Sequence, residues 1–172
     1  TDVIKIADYE NTELLKINGG LELTKAPDGT ENVLRFEGGK ESKAVKLPKA
    51  IDLYSYYGVR FRVYSEKATY TTACLQFTSP TDTPPHMSLA FEVNFTGWKE
   101  FFVLARDLSV KFPFPLIDGY CINFSGTSMI GNLTGAIPDN VLYLDFVNAE
   151  TAVFEITPPD NATLDTPDIY RS

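Results

Sequence analysis

The feature that most limits the fold of this sequence is a period-two alternation of apolar and polar residues. Val59, Phe61 and Val63 alternate with polar residues, and the same alternation recurs over residues 73–77 and 89–95. Successive side chains of a β-strand point to opposite faces, so each segment predicts a strand with one buried face and one polar face. The sequence therefore favours an all-β domain.

Further short strands are predicted between turn signals, at residues 33–36, 44–47, 98–104, 120–124, 141–147 and 152–156. Pro48 is expected to end the second of these. Trp98 to Leu108 also fits helical spacing, but Thr96-Gly97 favours a hairpin with the preceding strand, followed by a strand to Leu104 and then a turn. Short strands at this spacing are typical of a sandwich or barrel.

Composition and charge narrow the class of protein. The 172 residues carry 15 basic and 23 acidic side chains, a formal charge of −8, which disfavours nucleic acid and anionic membranes as partners. No apolar run predicts membrane insertion, and the N-terminus lacks the plan of a signal peptide, which favours a cytosolic or already trimmed chain. We expect one sandwich domain over residues 1–157, followed by a linker or C-terminal strap over residues 158–172.

Residues that support catalysis are few. The sequence has one histidine, His86, and two cysteines, Cys74 and Cys121, which are either buried free thiols or a single bridge. It contains neither a Gly-x-Ser-x-Gly elbow nor a phosphate-binding lysine loop. We therefore predict that the chain is not an enzyme, with a jelly-roll polysaccharide lyase as the less favoured alternative.

Four blocks in order are distinctive: DYENT, AIDLYSYYGVRFRVYS, FTGWKEFFVLARDL and VLYLDFV. Together they resemble carbohydrate-binding modules of the galactose-binding-like superfamily, and most closely the N-terminal domain of chondroitin ABC lyase-type polysaccharide lyases. The resemblance implies an antiparallel jelly-roll β-sandwich that belongs to a larger bacterial enzyme, secreted, periplasmic or at the cell surface. It also implies that Tyr57 and Trp98 are buried.

The same resemblance implies a structural calcium ion. In such modules an acidic residue after the first strand and an aspartate in the last strand share the cation. The matching positions are Glu10 and Asp145, with Asp8 as the substitute for Glu10. Carboxylate and carbonyl oxygens suit Ca²⁺, so these residues are the predicted metal ligands.

The polar faces of the alternating strands form the first candidate site for sugar. Their side chains, with those of the adjoining loops, are Arg60, Arg62, Tyr64, Tyr70, Gln76, Glu92 and Asn94. We expect them to lie on one side of neighbouring strands, where aromatic faces and fixed polar groups would bind a pyranose ring. The two arginines could pair with a uronate or sulfate. A solvated sheet face with cross-strand ion pairs is the alternative.

A second candidate site lies in loops at the sandwich edge. It comprises Tyr54, Tyr56 and Tyr57 before a strand, and Phe112 and Phe114 in a proline-rich loop. The phenylalanines are expected rather to plug the end of the core.

The predicted function is that of a non-catalytic carbohydrate-binding or accessory domain. Its partners would be a polysaccharide, acidic or neutral, and a catalytic domain in the same chain, which the bound polymer is held near. The alternative from a different class is a structural domain that packs on a lyase or hydrolase domain and binds no sugar. Exposed, preorganised aromatic side chains would favour the first reading, and an apolar patch the second.

Overall fold

A computed structural model describes residues 3–19, 21–40, 44–80, 82–112, 115–124, 127–128, 131–132, 138–151 and 164–171. Two helices occur in these residues, α1 (Thr12–Ile17) and α2 (Ala105–Lys111), with a 3₁₀ turn at Leu53–Ser55. The strands are β1 (Val3–Lys5), β2 (Leu34–Glu37), β3 (Val45–Asp52), β4 (Gly58–Ser65), β5 (Thr72–Ser79), β6 (Asp82–Glu92), β7 (Gly97–Leu104), β8 (Leu116–Asn123), β9 (Thr127–Ser128), β10 (Gly131–Asn132), β11 (Val141–Glu150), β12 (Leu164–Asp165) and β13 (Asp168–Arg171). Neither described helix is long and apolar enough to span a membrane.

The strands form two main sheets. The first sheet has the order β1-β11-β4-β7-β12, with β2 also paired to β11, and the second sheet has the order β13-β6-β5-β8-β3. The pairing is antiparallel throughout, except between β12 and β7, and β9 and β10 form a small separate hairpin. The predicted all-β sandwich is confirmed.

The core lies between the two sheets and is built from the apolar side of each alternation. Phe61 and Phe101 of the first sheet stack with ring centroids 4.9 Å apart, and Phe91 of the second sheet lies 4.6 Å from Phe101. All three side chains are buried. These contacts across the sandwich explain why the period-two pattern selected the buried faces correctly.

The hairpin predicted at Thr96-Gly97 is wrong, because β6 belongs to the second sheet and β7 to the first. Gly97 has a positive φ of 85°, and Phe95 before it packs on the core with its ring centroid 6.2 Å from that of Phe101. The turn therefore carries the chain from one sheet to the other.

Two element boundaries also differ from the predictions. Strand β3 continues through Pro48, but its pairing with β8 is irregular between Lys46 and Ile51, since proline has no N–H for a sheet hydrogen bond. Strand β7 ends at Leu104 as predicted, and α2 replaces the expected turn. The strand predicted over 152–156 lies outside the described residues.

The C-terminal segment 164–171, hereafter the C-terminal strap, contacts both sheets. Strand β12 pairs with β7 of the first sheet, and β13 pairs with β6 of the second. Lys99 Nζ lies 3.1 Å from the carboxylate of Asp165. The described part of the segment predicted as linker or strap is thus built into the sandwich.

No disulfide joins the two cysteines, which lie on neighbouring strands, Cys74 on β5 and Cys121 on β8. Cys74 faces Asn123 in the pairing of these strands, and Cys121 faces Gln76, so the two thiols are diagonal neighbours. Burial raises the pKa of Cys74 to about 12, which makes this thiol a poor nucleophile.

Candidate functional site

The predicted polar face does not exist as one surface. Arg60 lies on β4 in the first sheet, whereas Gln76 on β5 and Glu92 on β6 belong to the second sheet. The expectation that these residues share one side of neighbouring strands is therefore wrong. The physical reason is that residues 66–71 carry the chain from the first sheet to the second, so β4 and β5 are not neighbours.

Two of the predicted site residues lie in connections between sheets. Tyr70, before β5, has a φ of 56° and is 67% exposed. Asn94, after β6, is exposed, and its Oδ1 accepts a long hydrogen bond of 3.4 Å from Lys99 Nζ. Their contact with a ligand stays a prediction, but they do not adjoin Arg60 in the sheet pairing.

Arg60 forms ion pairs with two glutamates on the outer side of the first sheet. Its Nε and Nη2 donate to the two carboxylate oxygens of Glu150 at 2.6 and 3.1 Å, and its Nη1 lies 3.6 Å from Oε2 of Glu100. Arg60 is only 7% exposed, and both glutamates are buried as well. The guanidinium is therefore neutralised by carboxylates of its own chain, and its contact with a uronate stays a prediction.

Arg62 is also held internally. Its Nη1 donates to Asp145 Oδ2 at 2.9 Å, and its guanidinium carbon lies 4.1 Å from the ring centroid of Trp98. Tyr64 packs edge-on against Trp98 at 5.2 Å and against Tyr143 at 6.0 Å. Trp98 is buried, as expected, and Tyr64 is half-buried, so contact of Tyr64 with a sugar stays a prediction.

The predicted residues of the second sheet have different environments. Gln76 is buried, and its Nε2 donates to Ser88 Oγ on the neighbouring strand at 3.0 Å. Glu92 is exposed at the end of β6. Gln76 thus takes part in a cross-strand hydrogen bond, and Glu92 is the more accessible of the two predicted residues.

Of the predicted calcium ligands, Asp145 and the substitute Asp8 have internal partners. Asp145 lies at an irregularity in the pairing of β11 with β4, and one of its oxygens accepts the hydrogen bond from Arg62. Glu10 is exposed, and its backbone N–H donates to Asp8 Oδ1 at 3.2 Å. Over the described residues no group of three His, Cys, Asp or Glu side chains gathers around a point. Asp145 Oδ2 and Asp8 Oδ1 thus accept hydrogen bonds within the chain, and calcium on Glu10 and Asp145 stays a prediction.

A pocket of about 270 Å³ lies at one end of the sandwich, where the chain enters β4 and leaves β7. Its lining residues are Tyr54, Tyr56, Tyr57, Leu104, Ala105, Arg106 and Ser109. The three tyrosines come from the 3₁₀ turn and the residues that follow it, and the other four from the end of β7 and from α2. The second candidate site of the sequence is thus a concave surface with aromatic walls.

Tyr57 is the best anchored of the exposed residues in this pocket. Its N–H donates to the carbonyl of Glu150 at 2.6 Å, and its carbonyl accepts from the N–H of Ala105 at 2.8 Å. Its ring stacks on Phe102 with centroids 6.3 Å apart and an interplanar angle of 19°. Tyr57 is 39% exposed, so the expectation that it is buried is wrong: its ring covers Phe102 from outside instead of entering the core.

Gly58 makes this stacking possible. A Cβ at this position would lie 2.5 Å from Cζ of Phe102 and 2.6 Å from the carbonyl oxygen of Val103. Only glycine therefore lets the Phe102 ring lie across β4 and support Tyr57.

Tyr54 is fixed at the inner side of the pocket. Its hydroxyl donates to the carbonyl of Phe112, and its N–H donates to Asp52 Oδ1 at 3.0 Å. Burial raises the pKa of Tyr54 to about 12, so the hydroxyl stays protonated. Phe112 is fully buried, which confirms that it plugs the core, and Phe114 lies outside the described residues.

The polar side chains of the pocket lining, besides the tyrosines, are those of Arg106 and Ser109. Arg106 Nε lies 4.0 Å from Asp107 Oδ1, both side chains being largely in solvent, and Ser109 Oγ donates to the carbonyl of Arg106 at 2.8 Å. The lining residues include no carboxylate, histidine or thiol. Arg106 and Ser109 were missed at the sequence level: the helical spacing of residues 98–108 could have indicated a helix at Arg106, but no sequence signal places that helix beside the tyrosines.

Models of known protein families give no match to this chain, and neither do the sequences of curated proteins. The resemblance to galactose-binding-like modules therefore stays a prediction.

Proposed function

We propose that this chain is a non-catalytic carbohydrate-binding domain that binds sugar in the tyrosine-lined pocket. The proposal includes, from the resemblance, a catalytic domain in the same protein and a location outside the cytoplasm. Bound polysaccharide would then be held near the catalytic domain, which raises its effective concentration there.

The observation that carries the proposal is the preorganised, partly exposed ring of Tyr57. A pyranose ring has an apolar face that packs on aromatic rings, and it binds best when the aromatic group does not have to be ordered first. Two backbone hydrogen bonds and the stack on Phe102 hold Tyr57 before any ligand arrives. Tyr54 and Tyr56 line the same pocket and add to its aromatic wall.

The test is affinity electrophoresis of the chain through gels that contain xylan, β-glucan, galactan, polygalacturonate, alginate or chondroitin sulfate. We expect at least one polymer to slow the chain, and Tyr57→Ala to weaken this retention at least about tenfold, since losing a stacked ring costs about 0.5 to 1.5 kcal/mol beyond the contribution of its buried area. Circular dichroism checks that the variant is folded.

Tyr170→Ala is the matched control. Tyr170 lies on β13, outside the pocket lining, and its 41% exposure is close to that of Tyr57. We expect this variant to be retained as the unaltered chain is. Equal loss in both variants would contradict a site at Tyr57. Retention by none of the polymers would favour the domain that packs on an enzyme without binding sugar.

The predicted structural calcium ion has a separate test. Calcium shared by Glu10 and Asp145 would stabilise the folded chain by mass action, so chelation should lower the melting temperature, and added calcium should restore it. The test requires metal analysis of the starting protein. An unchanged melting temperature in calcium-loaded protein would contradict a stabilising ion and leave Arg62 as the counter-charge of Asp145.

A further inference from the structure

We infer that the sugar bound in the tyrosine-lined pocket is uncharged. The inference rests on the proposed function and names its ligand class. It departs from the expectation that Arg60 and Arg62 read a uronate or a sulfate, and three observations on charge carry it.

The first observation is that Arg60 and Arg62, the residues predicted to bind an acidic sugar, already form ion pairs within the chain. Glu150 takes two nitrogens of Arg60, and Glu100 lies 3.6 Å from the third. Arg62 is bonded to Asp145 and covered on one face by Trp98. An anionic sugar would have to compete with carboxylates of the same chain, which are held without any loss of translational freedom.

The second observation is the charge of the pocket itself. Arg106 is the one charged residue among those that line it, and its side chain is 81% exposed beside the carboxylate of Asp107. A guanidinium in solvent with an acidic neighbour gives little net attraction for an anion, because water and salt screen it. Arg106 can instead donate hydrogen bonds to neutral hydroxyl groups.

The third observation is the charge of the whole chain. With 15 basic and 23 acidic side chains the chain carries a formal charge of −8. A polyanion that approaches the pocket is therefore repelled at long range, and this repulsion slows its association most strongly at low salt. A neutral polysaccharide meets no such barrier, and its ring can still pack on Tyr57 and Tyr56.

The experiment compares polymers that differ mainly in charge. Galactan is paired with polygalacturonate, and hydroxyethylcellulose with carboxymethylcellulose, in affinity gels at roughly 0.05 and 0.3 M salt. We expect retention by a neutral polymer, changed less than about twofold by salt, and no retention by its acidic counterpart. Arg106→Gln removes the charge of the pocket lining while keeping hydrogen-bond donors. Tyr170→Ala, outside that lining, is the control that should be retained as the unaltered chain is.

Retention by an acidic polymer alone, lost at the higher salt and in Arg106→Gln, would overturn the inference but leave sugar binding intact. Equal retention by both members of a pair would overturn it as well, since it claims discrimination against the charged sugar. Retention by no polymer, in the unaltered chain and in Tyr57→Ala alike, would instead overturn the proposed function, and the inference with it.

Discussion

The side chain of Arg60 lies close to two buried carboxylates, those of Glu100 and Glu150, but is hydrogen-bonded only to Glu150. Both carboxylate oxygens of Glu150 accept hydrogen bonds from Arg60, whereas Oε2 of Glu100 lies 3.6 Å from Nη1 of Arg60. Burial raises the pKa of Glu100, against the attraction of Arg60 and Arg62. The charged form of Glu100 is therefore less favourable in the folded chain than in the unfolded chain.

Replacing Glu100 by glutamine should stabilise the chain at neutral pH. A carboxyl whose pKa is higher in the folded state binds its proton more tightly there, so its contribution to stability falls as pH rises from the unfolded pKa through the folded pKa. Glu100→Gln removes this loss. In urea unfolding we expect the variant to have a higher free energy of unfolding than the unaltered chain at pH 7, and we expect this difference to disappear toward pH 4.

Glu150→Gln is the control for that prediction. It removes a carboxylate that accepts two hydrogen bonds, so we expect it to destabilise the chain by about 1 to 3 kcal/mol at pH 7. The loss stays below that for an isolated buried pair, because Glu100 can still balance Arg60. Equal destabilisation by both variants would show that Arg60 is shared evenly, contrary to the geometry.

Among the contacts between elements, the side chain of Asn18 attaches the short helix α1 to strand β3. Helix α1 has six residues, too few to be stable alone, and Asn11 caps its start. Asn18 Nδ2 donates to the carbonyls of Leu14 and Lys46 at 2.8 and 2.7 Å, and the N–H of Lys46 donates to Asn18 Oδ1 at 2.8 Å. The amide therefore satisfies one backbone position on the free edge of β3 as a neighbouring strand would.

The variant Asn18→Asp tests this attachment. The carboxylate can still accept from Lys46 N–H, but it cannot donate to the two carbonyls and repels them. We expect a loss of about 1 to 3 kcal/mol in the free energy of unfolding, measured by urea at pH 7. Lys46→Ala, which removes only an exposed side chain, should leave stability within about 0.5 kcal/mol. A similar loss of unfolding free energy in both variants would contradict the view that the Asn18 amide attaches α1 to β3.

The C-terminal strap ties the two sheets together at the scale of the whole molecule. Strand β13 covers the edge of β6, β12 pairs with β7, and Pro167 between them is buried. Lys99, which is largely buried, has Asp165 of the strap as its ion-pair partner. Removing the strap would expose one edge of each sheet and leave the lysine without that carboxylate.

A chain that ends at residue 163 should therefore unfold at a lower temperature. A loss of roughly 3 kcal/mol from several hydrogen bonds corresponds to a fall of about 6 to 12 °C for a domain of this size. Differential scanning calorimetry measures it. Asp165→Asn isolates the half-exposed ion pair and should cost less than about 1 kcal/mol. An unchanged melting temperature on truncation would mean that the segment is a linker and not part of the fold.

The candidate pocket could be predicted only in part from the sequence. Tyr54, Tyr56 and Tyr57 are adjacent in the chain, so their grouping needs no tertiary information. Arg106 and Ser109 reach them only because the end of β7 and α2 pack beside the 3₁₀ turn. The exposure of Tyr57 depends on Phe102 lying across Gly58, a contact between neighbouring strands that no local pattern specifies.

The sequence predicts most of the core strands and the side of each that faces the core, because a strand's two faces follow from alternation between adjacent residues. It does not predict α1, α2, β12 or β13, or that Arg60, Cys74 and Gln76 on the polar sides are buried as well. Tertiary structure alone decided which strands became neighbours. That choice separated Arg60 from Gln76 and paired it with Glu150, 90 positions away in the chain. Such partners are selected by packing the whole core at once, so a residue's charge can be read from the sequence, but the group that neutralises it cannot.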